Sequence, residues 1–158
     1  MDERLERILP RVQKPARYTG GEYNAVMKDK STVDTRFAFC FPDTYEIGMS
    51  NLGFRILYGV LNDMPGVWCE RAFAPWPDME AEMRRHDLPL YALESGDPVG
   101  DFDIVGFSVG YEMAYTAILH MLDLSRIPLR SAERSTLTPG NDQGGEVGAV
   151  CAAEGEPG

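Results

Sequence analysis

Residues 104–109, Ile-Val-Gly-Phe-Ser-Val, form a nearly uninterrupted apolar run directly after Asp101 and Asp103. Runs of this kind are typical of central strands in parallel sheets, because helices cover both faces of such strands. The next segment, MAYTAILHMLDL (113–124), places apolar side chains at helical spacing and predicts an amphipathic helix. Together they predict one strand-and-helix unit, which is the building block of an α/β fold.

The same alternation of strand and helix continues on the N-terminal side of this unit. Short apolar runs bounded by Pro and polar residues predict strands, and apolar residues at helical spacing predict helices. The predicted strands are RFAFCF (36–41), VWCERAFA (67–74) and LPLYALE (88–94). The predicted helices are NLGFRILYGVLNDM (51–64), with Ser50 or Asn51 as N-cap, and a segment from Pro77 to His86 with acids first and bases last.

This alternation predicts an α/β fold with a doubly wound parallel sheet of the Rossmann-like or flavodoxin-like type. We divide the chain into a leader at residues 1–34, an α/β domain at 35–134 and a tail at 135–158. Residues 127–131, IPLRS, could open a further strand. The tail is rich in Gly, Ala and acidic residues and has no apolar period, so we predict that it is disordered.

Composition excludes several classes of partner. The chain has 15 Lys and Arg against 25 Asp and Glu, a formal net charge of -10, and such a surface repels nucleic acid. No apolar run approaches the roughly 20 residues that span a bilayer, so we expect no membrane partner. The three cysteines, Cys40, Cys69 and Cys151, form no CxxC pair and no disulfide framework. We therefore expect reduced thiols and a cytoplasmic location.

Two loops follow predicted strands and concentrate polar residues and glycines. They cover residues 42–53 and 108–112. Ligands of open parallel sheets bind beyond the carboxyl ends of the strands, where the strand order reverses. The loops contain no GxxxxGK[ST], and Gly48 with Gly53 do not form GxGxxG, so ATP and dinucleotides are disfavoured. A bulkier ligand, held by side chains and by backbone approach at the glycines, fits this composition better.

Three long strings identify a family resemblance. They are FPDTYEIGMSNLGFRILYGVLND (41–63), WCERAFAPWPDMEAEMR (68–84) and DIVGFSVGYEMAYTAILHMLDLSRIPLRSAER (103–134). In this order they resemble the N-terminal region of a family of radical S-adenosylmethionine (radical SAM) proteins with a cobalamin-binding-like domain. The resemblance runs from about residue 14 to about residue 134.

The resemblance implies a cobalamin-type site at the two loops. Cobalamin-binding domains of this kind carry D-x-H-x-x-G, whose His ligates cobalt, and here Tyr45 stands at the His position between Asp43 and Gly48. A neutral phenol is a poor cobalt ligand, so the resemblance implies cobalamin held without a protein ligand to cobalt, or a site that has lost the cofactor. The cofactor-binding residues implied are Asp43, Tyr45, Gly48, Ser50, Ser108 and Gly110.

Two further signatures of such domains are met in part or not at all. The S-x-L signature keeps Ser108 but has Gly110 in place of Leu. The glycine pair expected after a later strand is not matched, because Gly144 and Gly145 follow no predicted strand. Purely structural roles stay open for three residues: a turn cap for Asp43, backbone geometry for Gly48 and a helix N-cap for Ser108.

The catalytic half of the resembled family carries CxxxCxxC, which holds a [4Fe-4S] cluster that binds S-adenosylmethionine. The motif is absent here, so we expect the cluster and S-adenosylmethionine only in a separate catalytic domain, the expected partner in cis, and we expect a chain truncated before it. We predict no catalytic residue and no metal ligand in the chain. The alternative is a ligand-free docking domain that packs on the catalytic domain.

Overall fold

The computed structural model describes residues 3–134 and 148–153, the last six as backbone only. The strands are β1 Thr35–Phe41, β2 Val67–Phe73, β3 Ile104–Val109 and β4 Gly148–Ala153. The helices are α1 Glu3–Ile8, α2 Tyr45–Ser50, α3 Leu52–Asp63, α4 Pro77–Arg85, α5 Ala114–Leu124 and α6 Ser131–Arg134. Short 3-10 turns cover Leu9–Arg11, Pro15–Tyr18, Lys30–Thr32 and Val99–Asp101.

The four strands form one parallel sheet in the order β2-β1-β3-β4. Phe39 of β1 lies between Arg71 of β2 and Gly106 of β3. This order is that of flavodoxin-like doubly wound folds, because the chain moves to one side of β1 after the first strand and to the other side afterwards. The predicted α/β fold class is confirmed.

Two hydrophobic clusters cover the two faces of the sheet. On one face Phe39, Cys69 and Phe73 pack with Phe54 and Tyr58 of α3. The opposite face is larger and buries residues of α1, α4 and α5 against the alternate side chains of β1 and β3. Because side chains alternate along a strand, adjacent residues of β1 serve different clusters, as do Ala72 and Phe73 of β2.

The buried side of α3 differs from the side that is richest in aliphatic residues. Asn51 caps the helix by accepting a hydrogen bond from the Phe54 amide at 2.8 Å, as predicted. The buried residues are Phe54, Tyr58 and Asn62. Leu52, Ile56 and Val60 remain exposed, because the aromatic rings at positions 54 and 58 pack on the phenylalanines of β1 and β2.

Three expectations fail in the segments between or after the main elements. LPLYALE forms no strand, and among its residues only Tyr91 pairs, in an isolated bridge with Pro98. The amides of this segment bond to different elements, as when Leu90 donates to the Leu124 carbonyl. IPLRS forms no strand either, since the Ile127 amide bonds back to α5. The tail predicted as disordered contains β4, which pairs with β3 at residues 148–153; the rest of the tail lies outside the described residues.

The outer edge of β2 is closed by side chains. The Asn62 amide group accepts from the Cys69 N–H and donates to the Cys69 carbonyl, both at 3.0 Å. Two residues further on, the Arg71 N–H donates to Glu94 at 2.7 Å and the Arg71 carbonyl accepts from the Leu93 amide at 2.8 Å. At these positions the edge of β2 therefore has no free N–H or C=O group with which another strand could pair.

The leader packs into the larger core. Its buried apolar residues, Leu5, Ile8, Val12 and Tyr18, belong to the cluster that contains Met79 and Met83 of α4. Further along, the Val26 amide donates to the Tyr58 hydroxyl at 2.8 Å. Among the described helices, none is long and apolar enough to cross a bilayer.

Candidate functional site

The two loops that follow β1 and β3 meet at the carboxyl edge of the sheet. β1 and β3 are neighbours, and the crossovers that leave them run in opposite directions, to β2 and to β4. The point between them is the topological switch point, where doubly wound sheets bind ligands. The sequence had indicated these two loops, and the structure places them side by side.

A cleft of about 210 Å³ opens at the switch point between the two loops. Its lining combines apolar residues with four side chains that can form hydrogen bonds. The lining residues are Phe41, Pro42, Asp43, Ile47, Asn51, Ser108, Gly110, Tyr111 and Ala114. Small-molecule sites usually have volumes of about 300 to 1,000 Å³, so the cleft can hold part of a large ligand.

Ser108 is the most unusual residue of the cleft. The residue is 7% exposed and lies near the end of β3. No hydrogen bond of its hydroxyl is found among the described residues, and the helix that follows has Met113 as its N-cap. The N-cap role left open for Ser108 therefore does not apply. Ser108 lines the cleft, so its hydroxyl can bond to water or to a ligand there.

Three further polar groups surround this hydroxyl. Asp43 uses Oδ1 to accept from the Thr44 amide at 2.6 Å, as a turn cap does, and no described residue bonds to its second carboxylate oxygen. Asn51 uses Oδ1 to cap α3, which leaves its NH₂ group to donate. Tyr111 is an exposed residue on the rim. The cleft thus offers both donors and acceptors.

Tyr45 does not join this cleft. As the first residue of α2, it packs its ring edge-on against Phe73 of β2, with ring centroids 5.4 Å apart. Burial and a hydrogen bond with Glu22 raise the pKa of Tyr45 to about 12. The phenol therefore stays neutral in the physiological range and lies on the β2 side of the loop.

The leader covers this β2 side of the carboxyl edge. Arg17 donates to the Glu46 carboxylate at 2.8 Å and lies 5.5 Å from the ring centroid of Trp76. The Tyr18 hydroxyl accepts from the Trp76 amide at 3.2 Å. The Tyr45 end of the loop is thus closed by the protein itself, whereas no described residue closes the switch-point end.

The remaining predicted residues serve different roles. Gly48 is buried under the rings of Phe41 and Phe73, and a Cβ there would overlap the Phe73 ring. Ser50 is exposed outside the cleft, and its hydroxyl donates to the Glu46 and Ile47 carbonyls. Gly110 lines the cleft with open space around its Cα, where ligand and backbone can approach closely.

The structure brings together Asp43, Ser108 and Gly110 of the six residues implied by the resemblance. It adds Asn51 and Tyr111, which sequence reasoning had not assigned to the site. Both lie in or beside the two strand-exit loops, so their position relative to the strands was the available signal. Among the residues that the structure describes, no group of three or more His, Cys, Asp or Glu side chains could hold a metal ion.

A doubly wound parallel sheet with a polar cleft at its switch point is an architecture that many α/β ligand-binding modules share. The chain matches the family described as "Radical SAM proteins, N-terminal" over residues 53–157, and it belongs to that family. A search of curated proteins and a search of solved structures each gave no significant match.

Proposed function

We propose that the chain is the N-terminal cofactor module of a radical SAM protein, and that its switch-point cleft holds the periphery of a cobalamin. The observation that carries this proposal is the Ser108 hydroxyl, which lines the switch-point cleft and forms no hydrogen bond with the described residues. Asp43, Asn51 and Tyr111 add donors and acceptors beside it. A corrin ring bears amide side chains, which both donate and accept hydrogen bonds, so this mixed set of groups suits it.

The residues fit a cofactor held by its periphery and do not fit one ligated through cobalt. Tyr45 is turned towards Phe73 and is engaged by Glu22, and no imidazole lines the cleft. When bound, cobalamin supplies a cobalt centre for radical or group-transfer chemistry. The residues of this chain bind and orient the cofactor. The exposed apolar residues Tyr111 and Met113 face the catalytic domain that covers the cleft in this proposal.

We assign the iron-sulfur cluster and S-adenosylmethionine to a catalytic domain in the same polypeptide. The sequence contains no CxxxCxxC, and its three cysteines are far apart. Cys40 and Cys69 are buried, and burial raises the pKa of both thiols, which keeps them protonated. Thiolates are the ligands that such clusters need, so the described cysteines are unsuited to this role.

Retention of hydroxocobalamin tests the proposal. The purified chain is incubated with hydroxocobalamin and desalted, and its visible spectrum is recorded. We expect corrinoid absorbance with the unaltered chain and with Thr116→Ala, which alters an exposed hydroxyl on α5. Ser108→Leu fills the cleft and should remove the absorbance. Absence of corrinoid from the unaltered chain, or equal retention by Ser108→Leu, would contradict the proposal.

A ligand-free docking module is the second candidate, and closure of the Tyr45 end by the leader favours it. In that case Tyr111 and Met113 contact the catalytic domain directly. Met113, which lies in sequence between the cleft residues Tyr111 and Ala114, is 78% exposed. Docking predicts that Met113→Asp abolishes co-purification with a separately expressed radical SAM domain, while no variant of the cleft changes corrinoid content. Loss of corrinoid in Ser108→Leu with intact co-purification of Met113→Asp would reject docking.

A further inference from the structure

The outward side of α3 carries an apolar stripe that no described residue covers. Leu52, Ile56 and Val60 are 67%, 54% and 54% exposed. Exposed aliphatic residues are common singly, but a row of them along one helix marks an interaction surface. Leu52 and Ile56 also border a groove of about 370 Å³ that lies between α3 and the leader.

Gly59 lies within this stripe, between Ile56 and Val60 in the third turn of the helix. A Cβ at Gly59 would meet no heavy atom within 4 Å, and the residue also borders the groove. Helices pack with their axes about 8 to 10 Å apart, and small residues at the crossing permit the close end of that range. The stripe therefore has the surface of a helix-packing site.

The charges beside the stripe are self-complementary. Arg55 and Asp63 are both exposed, and neither forms an ion pair among the described residues. They lie four residues before and four residues after Gly59. If a second α3 packs antiparallel with its centre at Gly59, Arg55 of each copy lies opposite Asp63 of the other. A two-fold interface places the same patch on both partners, so both pairs form together.

We propose that two copies of this chain associate through α3, antiparallel about a two-fold axis near Gly59. Ile56 and Val60 of each helix pack against the other helix, and the grooves beside α3 receive apolar side chains of the opposing copy. The Arg55 and Asp63 pairs set the orientation, since a parallel arrangement would place like charges together. The surface is distinct from the switch-point cleft, so the proposal is independent of the ligand bound there.

Sedimentation of the whole chain over a wide range of protein concentration tests this proposal. At about 0.15 M salt the Debye length is about 8 Å, which screens long-range repulsion between acidic copies. We expect the mass to rise from 17.6 kDa towards twice that value with concentration. Ile56→Glu should weaken association by at least about tenfold, because it buries an unpaired charge at the interface. Leu119→Glu, on an exposed site of α5, should leave association unchanged.

A charge exchange tests the antiparallel geometry. Arg55→Asp alone sets Asp against Asp63, and Asp63→Arg alone sets Arg against Arg55, so each should weaken association by about tenfold. The double variant restores both pairs and should associate within about twofold of the unaltered chain. A monomer at every concentration, a dimer unaffected by Ile56→Glu, or a double variant no tighter than the singles would each overturn the proposal.

Discussion

Gly48 sets how closely α2 approaches the sheet. Its Cα faces the Phe73 ring, with Phe41 beside it, and a methyl group at this position would overlap the ring. Packing against these rings therefore explains why position 48 is a glycine, without any contact to a ligand.

Gly48→Ala should destabilise the fold by about 1 to 3 kcal/mol, because the added methyl group overpacks the aromatic cluster. Gly59→Ala is the matched control, since a Cβ there meets nothing within 4 Å. It replaces glycine inside a helix and should stabilise by about 0.5 to 1 kcal/mol. Urea denaturation at low protein concentration measures both. Equal effects of the two substitutions would contradict the packing described for Gly48.

Asp97 makes the stability of the fold depend on pH. Burial by itself raises the pKa of Asp97, but the hydrogen bond from Lys30 and the nearby charge of Arg36 outweigh burial and hold its pKa below the ordinary value. A carboxyl group whose pKa is lowered by folding stabilises the protein above its unfolded pKa, which is about 3.9. This contribution is lost as the pH falls through the lower, folded pKa.

Asp97→Asn should therefore cost stability at neutral pH, by about 1 kcal/mol for a partly exposed group. The difference from the unaltered chain should shrink as the pH falls below about 4. Urea denaturation at a series of pH values measures this difference. Asp101→Asn alters an exposed acid and serves as control. A difference that stays constant down to acid pH would rule out the assigned role of Asp97.

At the scale of elements, β2 carries charges inside a buried strand. Glu70 and Arg71 are fully or almost fully buried. Arg36 of β1 lies over Glu70, with Nη2 and Oε1 2.5 Å apart, and Arg71 pairs with Glu94 at 2.6 Å. Such charges are tolerated in a strand because each has an opposite charge beside it, and the partners come from distant parts of the sequence.

At the edge of β2, the side-chain amide of Asn62 takes the place of a neighbouring strand. Asn62→Ala should cost about 2 to 3 kcal/mol, since it leaves the buried N–H and carbonyl of Cys69 unpaired. Asn24→Ala, at an exposed position, should change stability by less than about 0.5 kcal/mol. Thermal unfolding compares the two variants. A small effect at Asn62 would mean that water replaces its amide.

The elements show what sequence can predict. β1, β2, β3 and the helices α3, α4 and α5 were predicted because their period and their bounding Pro, Gly and capping residues are local signals. The strand predicted for LPLYALE was wrong, because apolar residues indicate burial but do not indicate which element receives the backbone hydrogen bonds. The sequence also does not indicate which side of α3 is buried. Aliphatic residues outnumber aromatic ones in this helix, yet the aromatic residues are the ones that pack on Phe39.

The site was predictable in position and less so in composition. Both strand-exit loops were identified, since ligand sites of parallel sheets lie where strands end. The family resemblance implied both Tyr45 and Ser108 as cofactor-binding residues. The structure separates them, because α2 begins at Tyr45 and turns its ring towards Phe73, whereas Ser108 ends a strand beside the cleft. That separation depends on the pairing of β1 with two different neighbours.

At the scale of the whole molecule, the leader and the sheet share one core. Ile8 is fully buried in the cluster that contains Met79 and Met83. The leader therefore contributes to folding as well as closing the Tyr45 end of the sheet.

Ile8→Ala should lower the free energy of unfolding by about 2 to 5 kcal/mol, as for a large-to-small change in a packed core. Leu129→Ala alters a residue that is 48% exposed and should cost less than about 0.5 kcal/mol. Urea denaturation followed by circular dichroism measures both. If Ile8→Ala were as mild as Leu129→Ala, the leader would be an appendage rather than part of the core.

The sealed edge of β2 also limits how copies of the sheet can add to one another. A fibre that grows strand upon strand needs every subunit to offer two free edges, one to join and one to be joined. Here Asn62, Glu94 and Leu93 occupy the hydrogen-bonding groups of one edge. At these positions a second sheet cannot add strand to strand through β2, so fibre growth by this edge is blocked there.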